Sequence, residues 1–402
     1  MKYLILIGDG MGDYPNPRLG DLTPLEAAKT PNLDRLAQKG LLGRVVTTPE
    51  GLAPGSDVAI MSLMGYNAKG VLTGRGPLEA AALKVPVNPG DLAFRVNLVT
   101  LDLGPEKIML NHAAGDISSP EAGELIKDLA AQLPLGPKTL HQGVSYRNLL
   151  IWPNAPTDLP SLPPHDFRDQ SVLKFLDDPA CAPIMDLVKA SWPILAASPV
   201  NQKRQAQGLP PANSIWLWGQ GQVPKIKTYQ ERWNLTGATV SAVDIIKGLG
   251  LYVGLEPINV PGATGLLDTN YAGKVAASLK ALKTLDSVVV HLEAPDETSH
   301  QGNLKDKLAA IENFDQLIVG PILEGLTQIG DYRLLVACDH YTPLSLRTHS
   351  ADPVPFAIYD SQNELDLGAT GFNEPQALAT GRLVPDGPSL GQLLFGPEKA
   401  KS

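Results

Sequence analysis

The chain has 402 residues, of which 43% are hydrophobic and 19% are charged, and its formal net charge is −9 at pH 7. This length predicts two domains, and the acidic balance argues against a general nucleic-acid-binding protein. The sequence contains no apolar run of about 18 residues, the length that a membrane-spanning helix needs. Two cysteines, Cys181 and Cys338, are too few for a disulfide framework or a thiolate metal site. We therefore expect a cytoplasmic globular protein without nucleic-acid or membrane partners, and the oligomeric state stays open.

The chain begins with a predicted buried strand at 3–7, an unbroken apolar run that ends at a Gly-Asp-Gly sequence. A parallel strand has this pattern when its C-terminal end leads into a functional loop. The run is too short for the apolar core of a signal peptide. Two helices are predicted next, one that starts at Thr23 and Pro24 and one that spans 31–39. Taken alone, Asp9 after the strand is interpreted as a helix cap or a turn residue.

A loop that turns into a helix is predicted at 54–64, with Ser56 as the first helical residue or its cap. A serine in this place is ordinarily an N-cap. The alternative is a nucleophile whose hydroxyl faces a metal ion, since the ion lowers the pKa of the hydroxyl. The helix N-terminus would then favour an incoming phosphate. The sequence leaves both interpretations open at this point.

The segment 88–205 differs from its surroundings because it is rich in proline. Its predicted elements are strands at 94–100 and 146–152 and a helix at 120–132. We interpret 88–205 as a smaller α+β domain inserted into a first domain, which consists of 1–87 and 206–402.

Two more buried strands are predicted at 287–292 and 333–338, with an amphipathic helix at 305–319 between them. Each strand is followed by an acidic residue, Asp296 and Asp339 respectively. These residues lie where open α/β sheets bind their ligands. The alternation of buried strands and helices predicts an α/β fold with a doubly wound, mostly parallel sheet.

Three carboxylates and three imidazoles stand beside the predicted strand ends. They are Asp9, Asp296, His300, Asp339, His340 and His349. Oxygen and nitrogen ligands without thiolates suit Mn²⁺, Zn²⁺ or Mg²⁺, and with Ser56 as a seventh ligand they suffice for two divalent ions. Two ions about 4 Å apart would clamp both sides of a phosphoryl transfer. Three other histidines, His141, His165 and His291, are interpreted as structural.

Several motifs resemble those of the archaeal-type cofactor-independent phosphoglycerate mutases of the alkaline phosphatase superfamily. The matching segments are 9–13, 54–59, 73–80, 262–265, 267–271, 294–300, 339–340, 347–349 and 352–355. The resemblance starts at the N-terminus and reaches the region of the last of these motifs. It implies a sheet of the alkaline-phosphatase type.

The resemblance also implies a division of the metal ligands and a reaction. One ion would be held by Asp9, Ser56, Asp339 and His340, and the other by Asp296, His300 and His349. In this family the serine takes the phosphoryl group from one hydroxyl of a phosphoglycerate and returns it to the other, through a phosphoserine. The small phosphorylated substrate is expected to contact His112, Arg147, Arg204 and Lys247, of which Lys247 matches the family's lysine at the phosphoryl site.

The sequence departs from the archaeal pattern at the predicted substrate contacts. Archaeal mutases carry an arginine-rich segment where this chain has 111–119, in which His112 is the remaining polar contact and Asp116 adds negative charge. This segment and 213–221 look more like a bacterial branch of the family that has been proposed to act as a homoserine kinase. Three functions therefore stay open. The motifs favour interconversion of 3-phosphoglycerate and 2-phosphoglycerate over phosphoryl transfer to a small amino-acid alcohol and over hydrolysis of phosphomonoesters.

Overall fold

A computed structural model describes residues 1–398, which form two compact units. The first unit comprises Met1–Val71 together with the described residues from Lys225 onward, and the second comprises Leu72–Pro224. Among the described residues, no helix is both long enough and apolar enough to cross a membrane.

The strands and helices are numbered along the chain. The strands are β1 (Lys2–Gly8), β2 (Leu41–Val45), β3 (Leu92–Asp102), β4 (Ile108–Asn111), β5 (Thr139–Val144), β6 (Arg147–Trp152), β7 (Ser214–Gly221), β8 (Gly237–Val240), β9 (Leu255–Pro257), β10 (Ser287–Leu292), β11 (Tyr332–Ala337), β12 (Val354–Asp360) and β13 (Leu383–Val384). The helices are α1 (Pro24–Ala27), α2 (Pro31–Lys39), α3 (Ser56–Leu63), α4 (Gly76–Ala82), α5 (Ser119–Gln132), α6 (Leu173–Leu176), α7 (Ala182–Ala197), α8 (Pro199–Ala206), α9 (Tyr229–Trp233), α10 (Asp244–Tyr252), α11 (Tyr271–Leu282), α12 (Ala294–His300), α13 (Leu304–Asn313), α14 (Gly320–Leu326), α15 (Glu374–Ala379) and α16 (Gly387–Phe395).

The first unit is built on an eight-stranded sheet with the order β13-β2-β12-β11-β1-β10-β8-β9. The central strand β1 pairs in parallel with β10 on one side and with β11 on the other. Its residues 4–7 are buried, as expected for a strand that is covered on both faces. Strand β12 runs antiparallel to β11 and β2. The predicted α/β fold class with a mostly parallel sheet is confirmed.

The helices of the first unit begin where the sequence predicts them. The Thr23 hydroxyl accepts a hydrogen bond from Glu26 N at the start of α1, and the Glu26 carboxylate accepts one from Thr23 N. The helix predicted at 305–319 is not regular throughout, because α13 is followed by a π-helical turn. Asp315 in this turn accepts a hydrogen bond from Leu33 N, at the first turn of α2. A widened turn of this kind redirects a side chain that a regular helix would place elsewhere.

The second unit contains a five-stranded antiparallel sheet in which β3 pairs with β4, β6 and β7. Helices α5 and α7 pack on this sheet around a core that includes the buried residues Phe94, Leu125 and Trp216. The unit extends beyond the predicted segment 88–205 on both sides. Strand β7 pairs with β3 and α4 packs against β3, so both elements belong to the second unit. The sequence of β7 shows that it is apolar but not which sheet it joins.

Candidate metal centre

The predicted ligands lie at one edge of the large sheet because three adjacent strands end there. Gly8 at the end of β1 pairs with Leu292 in β10, and Ile7 pairs with Ala337 in β11. The next residues of the three strands therefore emerge side by side. The candidates placed there are Asp9 after β1, Asp296 and His300 in α12 after β10, Asp339 and His340 after β11, and His349 in the loop between β11 and β12.

Asp9, Asp339 and His340 form the buried part of this cluster. Their potential ligand atoms all lie within 4.8 Å of one another. His340 Nε2 is 3.4 Å from Asp9 Oδ1 and 3.3 Å from Asp339 Oδ2. The three side chains are at most 2% exposed. The cluster therefore brings two carboxylates and an imidazole together away from water.

Two oxygens of this cluster lack a hydrogen-bond partner among the described residues, namely Asp9 Oδ1 and Asp339 Oδ2. The other oxygen of Asp339 accepts hydrogen bonds from Gly10 N and His340 N. Burial, together with the charges of Asp339 and Asp296, raises the pKa of Asp9 well above its usual range. Burying unpaired carboxylates is costly unless a cation neutralises them, so the donor set fits a divalent metal ion.

Gly10 lets the loop after β1 approach the other ligands. Its φ of +61° lies in the left-handed region that favours glycine. A Cβ atom at this position would lie 2.6 Å from both Asp296 Oδ1 and Thr342 Oγ1. Any larger residue here would displace the ligands.

Asp296, His300 and His349 form a second group of ligands at the same edge. His300 Nε2 is 3.1 Å from Asp296 Oδ2 and 3.1 Å from His349 Nε2. His349 Nε2 is 3.5 Å from Asp296 Oδ1. The ligand atoms of Asp296, His340 and His349 also lie within 4.8 Å of one another, so His340 stands between the two groups.

The Nδ1 atoms of His300 and His349 have partners that orient the rings. His300 Nδ1 lies 2.9 Å from the carbonyl oxygen of Arg347, and His349 Nδ1 lies 3.3 Å from that of Pro54. A carbonyl oxygen can only accept, so both Nδ1 atoms carry protons. The Nε2 atoms of both rings therefore face the cluster, which is how imidazoles bind metal ions.

Hydrogen bonds from the imidazoles change the acidity of this group. Burial alone would raise the pKa of Asp296, but hydrogen bonds from His300 and His349 outweigh it and hold that pKa well below its usual range. The hydrogen bond with Asp296 raises the pKa of His300 to about 9, against the effect of burial. A metal ion must displace this proton when it binds His300.

Ser56 lies beside the first group of ligands. It is the first residue of α3, the helix cap is Gly55, and no side chain of the described residues makes the capping hydrogen bond there. The Ser56 Oγ lies 3.4 Å from Asp9 Oδ2 and 3.3 Å from His340 Nε2. Ser56 is therefore not the cap of α3, and its hydroxyl faces Asp9 and His340.

Comparisons with known proteins agree with this arrangement. A model of the Metalloenzyme superfamily matches residues 1–381. The chain is 45% identical over 397 residues to a 2,3-bisphosphoglycerate-independent phosphoglycerate mutase of Methanothrix thermoacetophila, with 98% of this chain and 100% of that protein covered. It is 47% identical over 377 residues to the protein of the same name from Methanosarcina acetivorans, with 93% and 94% covered. The chain belongs to this mutase family.

Membership of the mutase family confirms the resemblance stated from the motifs. The family lies within the Metalloenzyme superfamily, whose fold is alkaline phosphatase-like. A solved structure of a protein from Pyrococcus horikoshii is similar to this mutase-family chain with a TM-score of 0.83 and 29% sequence identity. The similarity covers 100% of this chain and 99% of that one. Divalent metal binding is supported by the superfamily and by the clustered ligands.

The sequence pattern leads to the interpretation of His291 as structural. The structure places its ring against a candidate ligand, Asp9. Its Nε2 lies 2.8 Å from Asp9 Oδ2, and its Nδ1 lies 3.1 Å from the hydroxyl of Ser241. An ionised carboxylate can only accept, so His291 donates from Nε2 to Asp9 and its Nδ1 accepts from the Ser241 hydroxyl. Burial lowers the pKa of His291 to about 3, so the ring is neutral. A histidine in an otherwise apolar strand was the sequence signal for this contact.

Buried polar residues behind the ligands also belong to the surroundings of the centre, although the sequence patterns did not predict them. Lys307 in α13 is fully buried, and its ammonium donates to Asp13 Oδ2 at 2.8 Å and to the carbonyl of Thr342 at 3.0 Å. The carboxylate of Glu374 accepts from Asp13 N at 3.0 Å and from the Thr23 hydroxyl at 2.6 Å. These contacts join the loop after β1 to the loop after β11. No spacing pattern in the sequence predicts that Lys307 and Glu374 are buried behind the ligands.

The four predicted substrate contacts are divided between the two units. Lys247 lies in the first unit, in α10, with its ammonium 3.1 Å from Asp244 Oδ1. His112 and Arg147 lie in the second unit beside Tyr146; the His112 ring centroid is 6.3 Å and the Arg147 Cζ atom 5.6 Å from the centroid of the Tyr146 ring. Both residues are half-buried.

The structure argues against a substrate contact for Arg204. Its side chain is 3% exposed and donates to Glu121 Oε2 at 3.1 Å and to the carbonyls of Ala114 and Pro210 at 2.7 and 3.0 Å. The guanidinium is therefore engaged within the interior of the second unit. The sequence favours a surface position for a single arginine, but the buried side chain of Arg204 joins three segments of the second unit.

His165, interpreted from the sequence as structural, lies next to His112 in the second unit. The two ring centroids are 6.2 Å apart, and the His165 ring is 5.3 Å from that of Trp218. Arg95 also stacks on Trp218, at 4.5 Å, and its Nε lies 3.1 Å from a carboxylate oxygen of Glu79. We call His112, Arg147, His165 and Arg95 with their aromatic neighbours the histidine–arginine cluster of the second unit.

Proposed function

We propose that this chain transfers a phosphoryl group through Ser56 and thereby interconverts 3-phosphoglycerate and 2-phosphoglycerate. The observation that carries the proposal is the position of the Ser56 hydroxyl, 3.4 Å from Asp9 Oδ2 and 3.3 Å from His340 Nε2. The names of the relatives from Methanothrix and Methanosarcina support the choice of substrate.

The proposed reaction uses two divalent ions, Mn²⁺, Zn²⁺ or Mg²⁺. Asp9, Ser56, Asp339 and His340 would hold one ion, and Asp296, His300 and His349 would hold the other. Bound ions lower the pKa of a coordinated hydroxyl and neutralise charge on phosphoryl oxygens. The unpartnered oxygens of Asp9 and Asp339 and the orientation of the imidazole Nε2 atoms support this assignment.

In the proposed first step, the Ser56 oxygen forms a bond to the phosphorus of 3-phosphoglycerate. The bond between phosphorus and the oxygen on C3 breaks, Ser56 loses its proton, and the departing oxygen gains one. In the second step, the hydroxyl on C2 attacks the phosphoserine and loses its proton, and the Ser56 hydroxyl is restored. No second substrate is needed, since the phosphoryl group returns to the molecule from which it came.

We propose that His112, Arg147 and Lys247 bind the anionic groups of the substrate. Carboxylate and phosphate groups are held best by guanidinium groups and other charged donors. The histidine–arginine cluster of the second unit supports a role for Arg147 as a charged donor and for His112 as a hydrogen-bond donor, and it adds His165 as a neighbouring donor. Lys247 remains a proposal from family resemblance.

The test is an assay of the Mn²⁺-loaded protein on 3-phosphoglycerate, with enolase as the coupling enzyme. We expect 2-phosphoglycerate to form, and Ser56→Ala to reduce the rate to background. If the protein instead transfers phosphate to homoserine, or only hydrolyses phosphomonoesters, the mutase assignment is wrong while the role of Ser56 stands. Turnover that survives Ser56→Ala would contradict the shared mechanism. The absence of arginine from 111–119 is the reason to test homoserine.

A further inference from the structure

Thr342 lies in the loop after β11 and is fully buried. Its backbone is held at both ends, since its N–H donates to the carbonyl of Gly12 at 3.1 Å and its carbonyl accepts from the ammonium of Lys307 at 3.0 Å. The loop after β1 and helix α13 therefore fix the position of Thr342 independently of its side chain. A hydroxyl held in this way is pre-organised with respect to whatever it contacts.

The Thr342 hydroxyl contacts one candidate ligand from each group. Its Oγ1 lies 2.5 Å from Asp296 Oδ1 and 3.1 Å from His340 Nδ1. A hydroxyl has one proton, and an ionised carboxylate can only accept, so the proton goes to Asp296. The contact with His340 then requires a proton on Nδ1. This leaves the Nε2 lone pair of His340 directed at Asp9, Asp339 and Ser56.

We propose that the hydroxyl of Thr342 positions His340 and Asp296 together and so sets the affinity of both metal ions. This inference rests on the two-metal centre proposed above. Without the hydroxyl, His340 Nδ1 has no acceptor at this position, and the ring can take the tautomer with its proton on Nε2, which cannot bind a metal ion. Asp296 Oδ1 loses its donor at the same time. Losing such a supporting contact typically costs 10- to 100-fold in metal affinity, about 1.4 to 2.7 kcal/mol.

The experiment compares Thr342→Val with Thr342→Ser by equilibrium dialysis against Mn²⁺. Valine has nearly the shape of threonine without the hydroxyl, and serine keeps the hydroxyl. We expect Thr342→Val to weaken both steps of the Mn²⁺ binding curve by about 10- to 100-fold. We expect Thr342→Ser to stay within about threefold of the natural protein in both steps.

The matched control is Thr298→Val. Thr298 lies in α12 between Asp296 and His300 and is 5% exposed. Its hydroxyl donates only to backbone, at 2.9 Å from the carbonyl of Ala294 and 3.0 Å from that of Pro295. The loss of this buried hydroxyl should cost stability but leave Mn²⁺ affinity unchanged, so the pair separates positioning from general destabilisation.

Three outcomes of the dialysis experiment overturn the proposal: unchanged Mn²⁺ affinity in Thr342→Val, a shift of only one of the two binding steps, or equal weakening in Thr342→Ser. Fewer than two Mn²⁺ ions in the natural protein would instead contradict the two-metal centre itself. If a variant does not fold, a second measurement, made on the natural protein, still tests the proposal. The ¹⁵N chemical shifts of His340 should show the Nδ1-protonated tautomer without metal, and the opposite tautomer would overturn the proposal.

Discussion

Two buried charged sites, one in each unit, hold their side chains in opposite ways. In the first unit, the buried oxygens Asp9 Oδ1 and Asp339 Oδ2 have no hydrogen-bond partner among the described residues. In the second unit, the buried guanidinium of Arg204 has three acceptors. A buried charge with all partners supplied by the protein stabilises the fold, whereas one without partners needs a ligand. For these two sites, the number of hydrogen-bond partners separates the candidate ligands from a structural arginine.

The geometry that supplies these groups also differs. The ligands of the first unit follow three adjacent parallel strands, whose ends converge by topology. The histidine–arginine cluster of the second unit collects side chains from β3, from β6, from the residue after β4 and from the 3₁₀ turn Pro164–Phe167, around an antiparallel sheet. In such a sheet, strand ends do not gather at one edge. The comparison predicts that substitutions in the first unit have large effects on metal binding. Substitutions in the second unit should affect either stability or substrate binding.

The largest expected effect comes from Asp339→Asn. The substitution keeps the acceptor for Gly10 N and His340 N but replaces an unpartnered oxygen by an amide nitrogen. We expect Mn²⁺ affinity to fall at least about 100-fold and turnover at least about 1000-fold, or about 4 kcal/mol. Without metal, we expect the variant to melt at a higher temperature than the natural protein, because one repelling buried charge is gone.

The control for Asp339→Asn is Asp360→Asn, which removes a carboxylate of the same unit that is paired with Arg333 at 2.7 Å. It should leave Mn²⁺ affinity unchanged. Calorimetric titration and melting in the presence of a chelator measure the two quantities. A metal-free Asp339→Asn protein that melts below the natural one would show that the cluster is not strained by its charges.

The second prediction sets Arg204→Ala against Arg147→Ala. Arg204→Ala breaks a buried network, so the free energy of unfolding should fall by about 2–4 kcal/mol, with the KM of the folded protein unchanged. Arg147→Ala should change the free energy of unfolding by less than about 0.5 kcal/mol and raise KM about 10- to 100-fold. Urea unfolding and steady-state kinetics measure the two effects. If Arg204→Ala raised KM and Arg147→Ala lowered the free energy of unfolding instead, the distinction between structural and substrate-binding arginines would be wrong.

The sequence predicted the first unit better than the second, for physical reasons. Asp9, Asp296 and Asp339 each follow a buried apolar strand, so a one-dimensional pattern implied their proximity. The pairing of β7 with β3 and the burial of Arg204 depend on contacts between distant segments. No local pattern encodes those contacts, and propensity yields to tertiary packing there.

The supporting residues of the centre show the same limit. His291 had a visible signal, a polar residue in an apolar strand, but its partner Asp9 could not be known before β1 and β10 were paired. Lys307 and Thr342 had no signal at all, because a buried lysine or threonine looks in sequence like an exposed one. A sequence therefore predicts ligands that follow strands more readily than the groups that orient them.

The third prediction concerns Glu374, a buried carboxylate that has hydrogen-bond donors yet lies among other charges. Burial raises its pKa from the ordinary 4.5 to about 7. Between these values the folded protein holds a proton that the unfolded chain lacks. The stabilisation from this proton is full below about pH 4.5 and is lost as the pH rises through 7.

The substitution Glu374→Gln should remove this pH dependence. The free energy of unfolding of the variant minus that of the natural protein should increase by up to about 3 kcal/mol between pH 5 and pH 8. Urea unfolding at both pH values measures it. A constant difference would show that Glu374 is ionised throughout and belongs with the fully partnered charges.

The smallest expected effect is that of Ser241→Ala, which removes the hydroxyl that orients His291 toward Asp9. We expect Mn²⁺ affinity to weaken by about fivefold to tenfold, since the effect passes through one intermediate ring. Ser278→Ala is the matched control, because the buried Ser278 hydroxyl donates to the carbonyl of Lys274 and to no ligand. Equal affinities in the two variants would remove His291 from the supporting contacts of the centre.

The most direct test of the account is the chemical state of Ser56 during turnover. The Mn²⁺-loaded protein is mixed with 3-phosphoglycerate, quenched in acid within a turnover and analysed by peptide mass spectrometry, since phosphoserine survives acid. The account predicts phosphate on the peptide that contains Ser56 while the phosphoglycerates are present, and no phosphate there without substrate or in Ser56→Ala. Turnover without phosphate at Ser56, or phosphate that forms at another residue and turns over there, would contradict it.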